Sequence, residues 1–192
     1  NVVVCPDVSG SMQSPATGFR KGATTSVRCI DVAGLVTAAM LRNNPQTTVL
    51  PFENEVVNVR LNSRDSVLTN AKRLANIGGG GTNCSAPLSW LVKQKVAVDM
   101  VIFVSDNQSW MDTKARGATT TMHYWAEIKR RNPQAKLVCI DIQPYASSQA
   151  ADREDILNIG GFSDEVFNLL GLFANDQLNA NHWVDVIDKV AL

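Results

Sequence analysis

The chain has 192 residues, a length that fits one domain with a substantial core. Its 18 basic and 18 acidic side chains cancel, so no overall field favours nucleic acid or a membrane surface. No apolar stretch approaches the roughly 18 residues that a transmembrane helix needs. Four scattered cysteines contain no C-x-x-C pair, so we expect reduced thiols, a cytoplasmic location and no zinc or redox site.

Strand-like and helix-like segments alternate along the chain. Apolar runs predict buried strands after Asn1 and over 99–105 and 136–142, while apolar periodicity predicts helices over 27–43, 65–76, 85–95 and 119–132. Two short runs, 47–52 and 55–60, are separated only by Glu53-Asn54, which predicts a hairpin. Further predictions are a Ser63 cap, a helical turn over 155–159, a last strand over 165–170, and a closing helix that begins at Asn175 and includes Trp183.

This alternation predicts an α/β fold with a doubly wound, mostly parallel sheet, one antiparallel edge strand and helices on both faces. The chain opens almost directly on a strand. We therefore expect 1–192 to be a single domain excised from a larger protein.

Polar side chains follow the two strongest predicted strands. Asp7, Ser9 and Ser11 follow the first, and Asp106 follows the strand that ends at Ser105. Thr82 follows a run of four glycines that permits close backbone approach. Carboxyl ends of parallel strands meet at one sheet edge, where ligands bind beside the topological switch point. Two carboxylates and three hydroxyls form an oxygen-only set, which suits a hard cation such as Mg²⁺.

The Asp-x-Ser-x-Ser turn, with the later Thr82 and Asp106, resembles the metal-ion-dependent adhesion site of von Willebrand factor A (vWA) domains. More narrowly, three segments resemble the vWA domain of the Ro autoantigen (TROVE-module) ribonucleoproteins: 80–87, 105–107 and 160–162. The resemblance implies that Ser9 and Ser11 bind Mg²⁺ (or Mn²⁺ or Ca²⁺) through their hydroxyls. It also implies that Thr82 binds directly or through water, while Asp7 and Asp106 act through water or orient the hydroxyls.

The function that this resemblance implies is a non-catalytic, cation-dependent protein-interaction module. A protein partner would supply a carboxylate to the metal, and RNA would bind another module of the full-length protein. Loops expected to border the site carry a possible partner-contact rim made of Arg20, Lys21, Trp110, Lys114 and Arg116. No membrane contact is expected.

Two alternatives remain open. Asp7 with Mg²⁺ could serve a hydrolase or phosphotransferase, although that class usually carries Asp-x-Asp and here Ser9 occupies the second position. The basic rim could instead contact RNA phosphates directly. Nucleotide binding by the glycine run is disfavoured, since the run matches neither phosphate-loop pattern.

Overall fold

The computed structural model describes residues 1–18, 25–106, 116–143 and 153–178, with only the backbone for 116–119. The chain divides into two compact units, Asn1–Gly161 and Phe162–Leu192. The strands of the first unit are β1 Val2–Pro6, β2 Thr48–Val49, β3 Met100–Ser105, β4 Lys136–Asp141 and β5 Ile156–Gly160. Its helices are a 3₁₀ turn Gly10–Gln13, α1 Cys29–Asn43, α2 Val67–Ala75, α3 Ser85–Lys93 and α4 Arg116–Arg131. The second unit contains α5 Glu165–Ala174.

The five strands form one parallel sheet in the order β2-β1-β3-β4-β5. The central register pairs Val4 with Ile102, and Ile102 with Val138. Because β2 and β3 lie on opposite sides of β1, the chain changes direction across the sheet between β1 and β3. This arrangement confirms the predicted α/β fold and places the topological switch point at the ends of β1 and β3.

Helices cover both faces of the sheet, because side chains along each strand alternate between them. On one face, Val3 and Phe103 share a buried cluster with Leu88 of α3 and Trp125 of α4. The alternate residues of these strands, such as the buried Val4, face the other side of the sheet. On that side α1 contacts β1 and β3. The central strands are therefore buried on both sides and fixed in position.

Trp125 is the largest fully buried side chain among the described residues, and its indole N–H has a hydrogen-bond partner. Nε1 donates to Asp155 Oδ2 at 2.9 Å, and Arg153 donates to both oxygens of the same carboxylate. Burial acts to raise the pKa of Asp155, but hydrogen bonds from Arg153 and Trp125 and the charges of Arg153 and Lys129 hold it below its usual value. This cluster ties α4 to the residue that leads into β5.

The predicted hairpin is wrong. No strand spans 55–60 among the described residues. Antiparallel pairing there is limited to a bridge between Phe52 and Val56 and a hydrogen bond from the Val57 N–H to the Pro51 carbonyl. The backbone of Phe52 instead bonds to Pro6 and Val8, which continues the parallel pairing of β2 with β1. The N–H and carbonyl of Phe52 are thus already bonded to the β1 segment, and the chain after Phe52 forms only a tight turn. The edge strand β2 is therefore parallel rather than antiparallel.

Three further local predictions are corrected. Most of the segment predicted as a helical turn over 155–159 belongs to β5, which begins at Ile156, because pairing with β4 overrides the local pattern. Residues predicted as a strand over 165–170 begin α5, because the apolar spacing of Val166, Leu170 and Phe173 is helical. Ser66 rather than Ser63 caps α2, and Asn175 ends α5 rather than starting a helix. The rest of that closing helix, 179–192, lies outside the described residues.

All four cysteines are buried free thiols: Cys5, Cys29, Cys84 and Cys139. Within the described ranges, no helix has both the length and the apolar character needed to cross a bilayer.

Candidate metal centre

The ends of β1 and β3 bring two carboxylates together at the switch point. Asp7 follows β1 and Asp106 follows β3, and the N–H of Asp7 donates to the carbonyl of Val104 at 2.9 Å. Asp7 is fully buried and Asp106 is 8 % exposed. The strand register alone therefore sets two acidic groups side by side at the carboxyl edge of the sheet.

Three hydroxyls form one hydrogen-bonded chain that ends on the Asp106 carboxylate. Thr82 Oγ1 donates to Ser9 Oγ at 2.9 Å, Ser9 Oγ lies 3.2 Å from Ser11 Oγ, and Ser11 Oγ donates to Asp106 Oδ1 at 3.1 Å. These contacts join residues as far apart in sequence as 9 and 82, or 11 and 106. The fold thus brings all five residues that the sequence analysis selected into one cluster of oxygen atoms.

Asp7 orients the turn that carries the serines. Its Oδ1 accepts the backbone N–H of Ser9 at 2.8 Å, and its Oδ2 accepts the hydroxyl of Ser105 at 2.8 Å. Both carboxylate oxygens are thereby engaged by groups of the protein. Ser105 was not selected from the sequence, although a hydroxyl residue at the end of a buried strand beside Asp106 is the signal that could have found it.

The electrostatics of the cluster favour an added cation. Burial raises the pKa of Asp7, against the hydrogen bonds from Ser9 and Ser105. Burial and the negative charge of Asp7 together raise the pKa of Asp106, against the hydrogen bond from Ser11. Neither carboxylate forms a salt bridge within the described part of the chain. Two buried carboxylates near one another are costly without a counter-charge.

The donor set is not one of the acidic or imidazole clusters common to transition-metal sites. Among the described residues, no group of three or more His, Cys, Asp or Glu side chains is placed to hold a metal. Any cation here would therefore depend on the hydroxyls of Ser9, Ser11 and Thr82 as well as the carboxylates. Hydroxyl and carboxylate oxygens are ligands suited to hard cations.

The glycine run lets the Thr82 loop pack directly against the Ser9 turn. The N–H of Gly10 donates to the carbonyl of Gly80 at 2.9 Å. A Cβ at Gly79 would lie only 2.3 Å from the N and Cα atoms of Gly10. The glycines therefore serve close backbone approach beside the cluster of oxygen atoms.

A turn at Glu53-Asn54 holds the other side of the same loop. Glu53 Oε2 accepts the N–H of Gly80, and the carbonyl of Glu53 accepts the N–H of Asn83 at 2.8 Å. Asn83 Nδ2 donates to the carbonyl of Asn54 at 3.0 Å. Thr82 thus lies between two residues, Gly80 and Asn83, that are hydrogen-bonded to this turn. The sequence analysis had predicted the turn as part of a hairpin.

We expect Gly79→Ala to destabilise the domain by about 1–3 kcal/mol, because the new methyl group forces the Ser9-Gly10 backbone away. The matched control is Gly78→Ala, since a Cβ at Gly78 meets no atom within 4 Å. We expect that control to stay within about 0.5 kcal/mol of wild type. Urea denaturation of the three proteins measures the difference, and equal stability of both variants would contradict the close approach.

The predicted rim is largely untested by the structure. Arg20, Lys21, Trp110 and Lys114 lie outside the described residues, and for Arg116 only the backbone at the start of α4 is given. Arg28, at the end of the same loop as Arg20 and Lys21, lies within the described residues. Its guanidinium binds both oxygens of Asp31 and also Gln13 Oε1 at 2.6 Å, so it stabilises the start of α1.

The parallel sheet, its strand order and the polar turns at its switch point define the class of this protein. It is an α/β domain of the vWA type. The family model of the Ro60 vWA domain matches residues 1–174, and the chain belongs to that family.

Two curated relatives share this similarity. The RNA-binding protein RO60 of Deinococcus radiodurans is 23 % identical over 172 residues, which cover 90 % of this chain and 31 % of the relative. The RNA-binding protein RO60 of Caenorhabditis elegans is 22 % identical over 179 residues, covering 90 % of this chain and 26 % of the relative. The chain thus spans about a third of the length of these proteins, or less.

Solved structures show the same fold. The crystal structure of the Deinococcus radiodurans Ro (RSR) protein aligns with a TM-score of 0.69 at 21 % identity, covering 93 % of this chain and 34 % of that one. The PilB minor pilin of Streptococcus sanguinis aligns with a TM-score of 0.52 at 11 % identity, covering 92 % and 60 %. At these identities the likeness concerns the fold alone.

Proposed function

We propose that this domain is a non-catalytic, divalent-cation-dependent interaction module of a Ro-type RNA-binding protein. It binds a cation at Asp7, Ser9, Ser11, Thr82 and Asp106 and presents it to an acidic group of a protein partner. The observation that carries the proposal is the continuous hydrogen-bonded chain from Thr82 through Ser9 and Ser11 to Asp106.

The residues fit a small hard cation. Three neutral hydroxyls lie next to two carboxylates whose raised pKa values reflect burial without a counter-charge. Mg²⁺ prefers oxygen ligands and retains several waters, and Mn²⁺ or Ca²⁺ accepts the same donor types. Ser9 and Ser11 would bind through their hydroxyls, Thr82 directly or through water, and the two aspartates through water or by orienting the hydroxyls.

An acidic partner follows from the neutral character of the nearest donors. A divalent cation held mainly by hydroxyls keeps more of its charge than one held by several carboxylates. It therefore attracts an additional anionic oxygen at any coordination position left open. A glutamate or aspartate side chain of a partner protein has the required chemistry, and metal bridging makes such binding sensitive to chelators.

A nucleophilic role for Asp7 is disfavoured. Asp7 is fully buried, and both of its oxygens accept hydrogen bonds, from the Ser9 backbone and the Ser105 hydroxyl. Attack on a phosphate would require an accessible, uncommitted oxygen. This supports a binding module over a hydrolase or phosphotransferase.

RNA is assigned to other parts of the full-length protein. Both curated relatives are named RNA-binding proteins, yet the matched segments cover only 31 % and 26 % of their lengths. The balanced charge of this chain offers no general attraction to phosphate. A cytoplasmic location is proposed from the four free thiols.

Calorimetric titration of Mg²⁺ and Mn²⁺ into wild type and the Asp7→Ala/Ser9→Ala variant tests the cation site. We expect saturable binding by wild type that the double variant loses, because one hydroxyl ligand and the carboxylate that orients it are both removed. Equal binding by the two proteins, or no binding by either at millimolar metal, would count against the proposal.

A phosphatase screen with generic phosphate esters separates the module from an enzyme. The proposal predicts no Mg²⁺-dependent turnover in wild type. Turnover that disappears in a Ser9→Ala variant would favour the hydrolase instead.

A further inference from the structure

The position of Thr82 is set differently on its two sides. On the C-terminal side, the N–H of the next residue, Asn83, donates to the carbonyl of Glu53 at 2.8 Å. On the N-terminal side, four glycines over 78–81 lead back to Ile77, whose N–H bonds to the end of α2. Because glycine loses more conformational freedom on ordering than any other residue, this side needs a contact from elsewhere in the fold.

The side chain of Glu53 provides that contact. Its Oε2 accepts the N–H of Gly80 at 2.5 Å, and the carbonyl of Gly80 accepts the N–H of Gly10 at 2.9 Å. A Cβ at Gly80 would lie 3.0 Å from Glu53 Oε2, so the glycine leaves room for the carboxylate. Within the described ranges the Glu53 carboxylate forms no salt bridge, and it therefore acts on the glycine loop rather than on a charged neighbour.

The backbone that carries Glu53 is bonded to the extension of β1. The N–H of Phe52 donates to the carbonyl of Pro6 at 3.1 Å, and the carbonyl of Phe52 accepts the N–H of Val8 at 2.9 Å. Glu53 is the next residue, so its side chain starts from a point fixed to the strand that leads into the cluster of oxygen atoms. The carboxylate thus connects β1 with the Thr82 loop.

The two hydroxyls at the start of the hydrogen-bonded chain have the spacing of neighbouring Mg²⁺ ligands. Thr82 Oγ1 and Ser9 Oγ are 2.9 Å apart. Octahedral Mg²⁺ with oxygens at about 2.0–2.1 Å places adjacent oxygens about 2.9 Å apart, whereas the same geometry around Ca²⁺ separates them by about 3.3 Å or more. Mg²⁺ also demands near-ideal geometry, while Ca²⁺ accepts a flexible one. A fixed position of Thr82 therefore matters more for Mg²⁺.

We propose that Glu53 is a positioning residue that makes this cluster selective for Mg²⁺ over Ca²⁺. Through the N–H of Gly80, its carboxylate holds Thr82 Oγ1 at the distance from Ser9 Oγ that Mg²⁺ requires. Loss of the carboxylate frees the glycine loop, which weakens Mg²⁺ binding more than Ca²⁺ binding. The inference rests on the proposed cation site and adds to it a residue outside the five.

Three substitutions separate the hydrogen bond from the negative charge. Glu53→Ala removes both. Glu53→Gln removes the charge but keeps an amide oxygen that can accept the N–H of Gly80. Glu55→Ala removes a neighbouring exposed carboxylate and leaves the backbone carbonyl of that residue, which accepts the N–H of Glu53 at 3.0 Å.

Calorimetric titration of Mg²⁺ and of Ca²⁺ into wild type and the three variants measures the ratio of the two affinities. We expect Glu53→Ala to weaken Mg²⁺ binding roughly tenfold or more and Ca²⁺ binding less, so that the ratio falls. Glu53→Gln should keep the wild-type ratio, and so should Glu55→Ala. A wild-type ratio in Glu53→Ala would overturn the proposal. So would an equally lowered ratio in Glu53→Gln, since the charge rather than the hydrogen bond would then be responsible.

A second measurement, in EDTA, follows the loop without any cation. The heteronuclear NOE of the amides of Gly79, Gly80 and Thr82 should fall in Glu53→Ala and stay at the wild-type value in Glu53→Gln and Glu55→Ala. An unchanged value in Glu53→Ala would overturn the positioning role.

The calorimetry also distinguishes this inference from the proposed function. Absence of binding of either cation to wild type would contradict the cation site and, with it, the selectivity. Binding by all four proteins with one common ratio would contradict the role of Glu53 and leave the cation site intact.

Discussion

Asp106→Asn is expected to shift stability in opposite directions without and with a divalent cation. Burial and the charge of Asp7 raise the pKa of Asp106, which means that the folded, metal-free protein disfavours the ionised carboxylate. A neutral amide relieves this cost while its oxygen can still accept from Ser11. The metal-free variant should therefore have a higher thermal midpoint than wild type. A bound cation reverses the order, because it needs the negative charge.

With Mg²⁺ at 100 times its dissociation constant, wild type should gain about 2.7 kcal/mol of stability. The variant should gain little at the same concentration. Thermal unfolding in EDTA and in Mg²⁺ measures both differences. Glu55→Gln is the control, since it removes one carboxylate at an exposed position and should leave the Mg²⁺ effect intact. An Asp106→Asn variant with lower stability in EDTA and a full Mg²⁺ response would contradict this electrostatic account.

Trp125→Ala is expected to cost about 3–5 kcal/mol, the largest single effect among the described side chains that we consider. The indole is fully buried in the cluster beneath β1 and β3, and its N–H pairs with Asp155. Trp125→Phe separates the two contributions, because it keeps most of the packing and loses a hydrogen bond to a charged group worth about 1.5–3 kcal/mol.

Urea denaturation measures these changes in the free energy of unfolding. The control is Arg130→Ala on the exposed side of α4, where we expect a change within about 0.5 kcal/mol. If Trp125→Ala were no more destabilising than Arg130→Ala, the description of the core around β1 and β3 would be incorrect.

The sequence predicted most accurately the central strands, which are packed against helices on both faces of the sheet. The runs that became β1, β3 and β4 are apolar except at their ends, because they lie in the middle of a parallel sheet. Such runs are typical of strands that helices cover on both sides. The helices α1, α2, α3 and α4 were also found, since each shows its apolar spacing over two turns or more. Edge segments were less predictable. The 155–159 segment is only five residues long, and its strand form depends on pairing with β4.

The five-residue cluster was found because its members follow strong elements. Asp7 and Asp106 come directly after the two strands that meet at the switch point, so the fold class nearly determines their proximity. The supporting contacts were not predictable from local sequence. Ser105 binds Asp7 from 98 residues away, and Glu53 holds the glycine loop from a turn that resembled a hairpin. Such contacts form only when the fold brings distant chain segments together, and a local sequence pattern carries no information on that distance.

The most direct test of the central claim is a Mn²⁺ titration of the isotope-labelled domain, observed by NMR. Mn²⁺ is paramagnetic and broadens the signals of nuclei near its binding site. The account predicts that the amides of Ser9, Gly10, Ser11, Thr82 and Asp106 broaden first, and that excess Mg²⁺ restores them. Broadening centred elsewhere, or none at millimolar Mn²⁺, would contradict a cation site at the ends of β1 and β3.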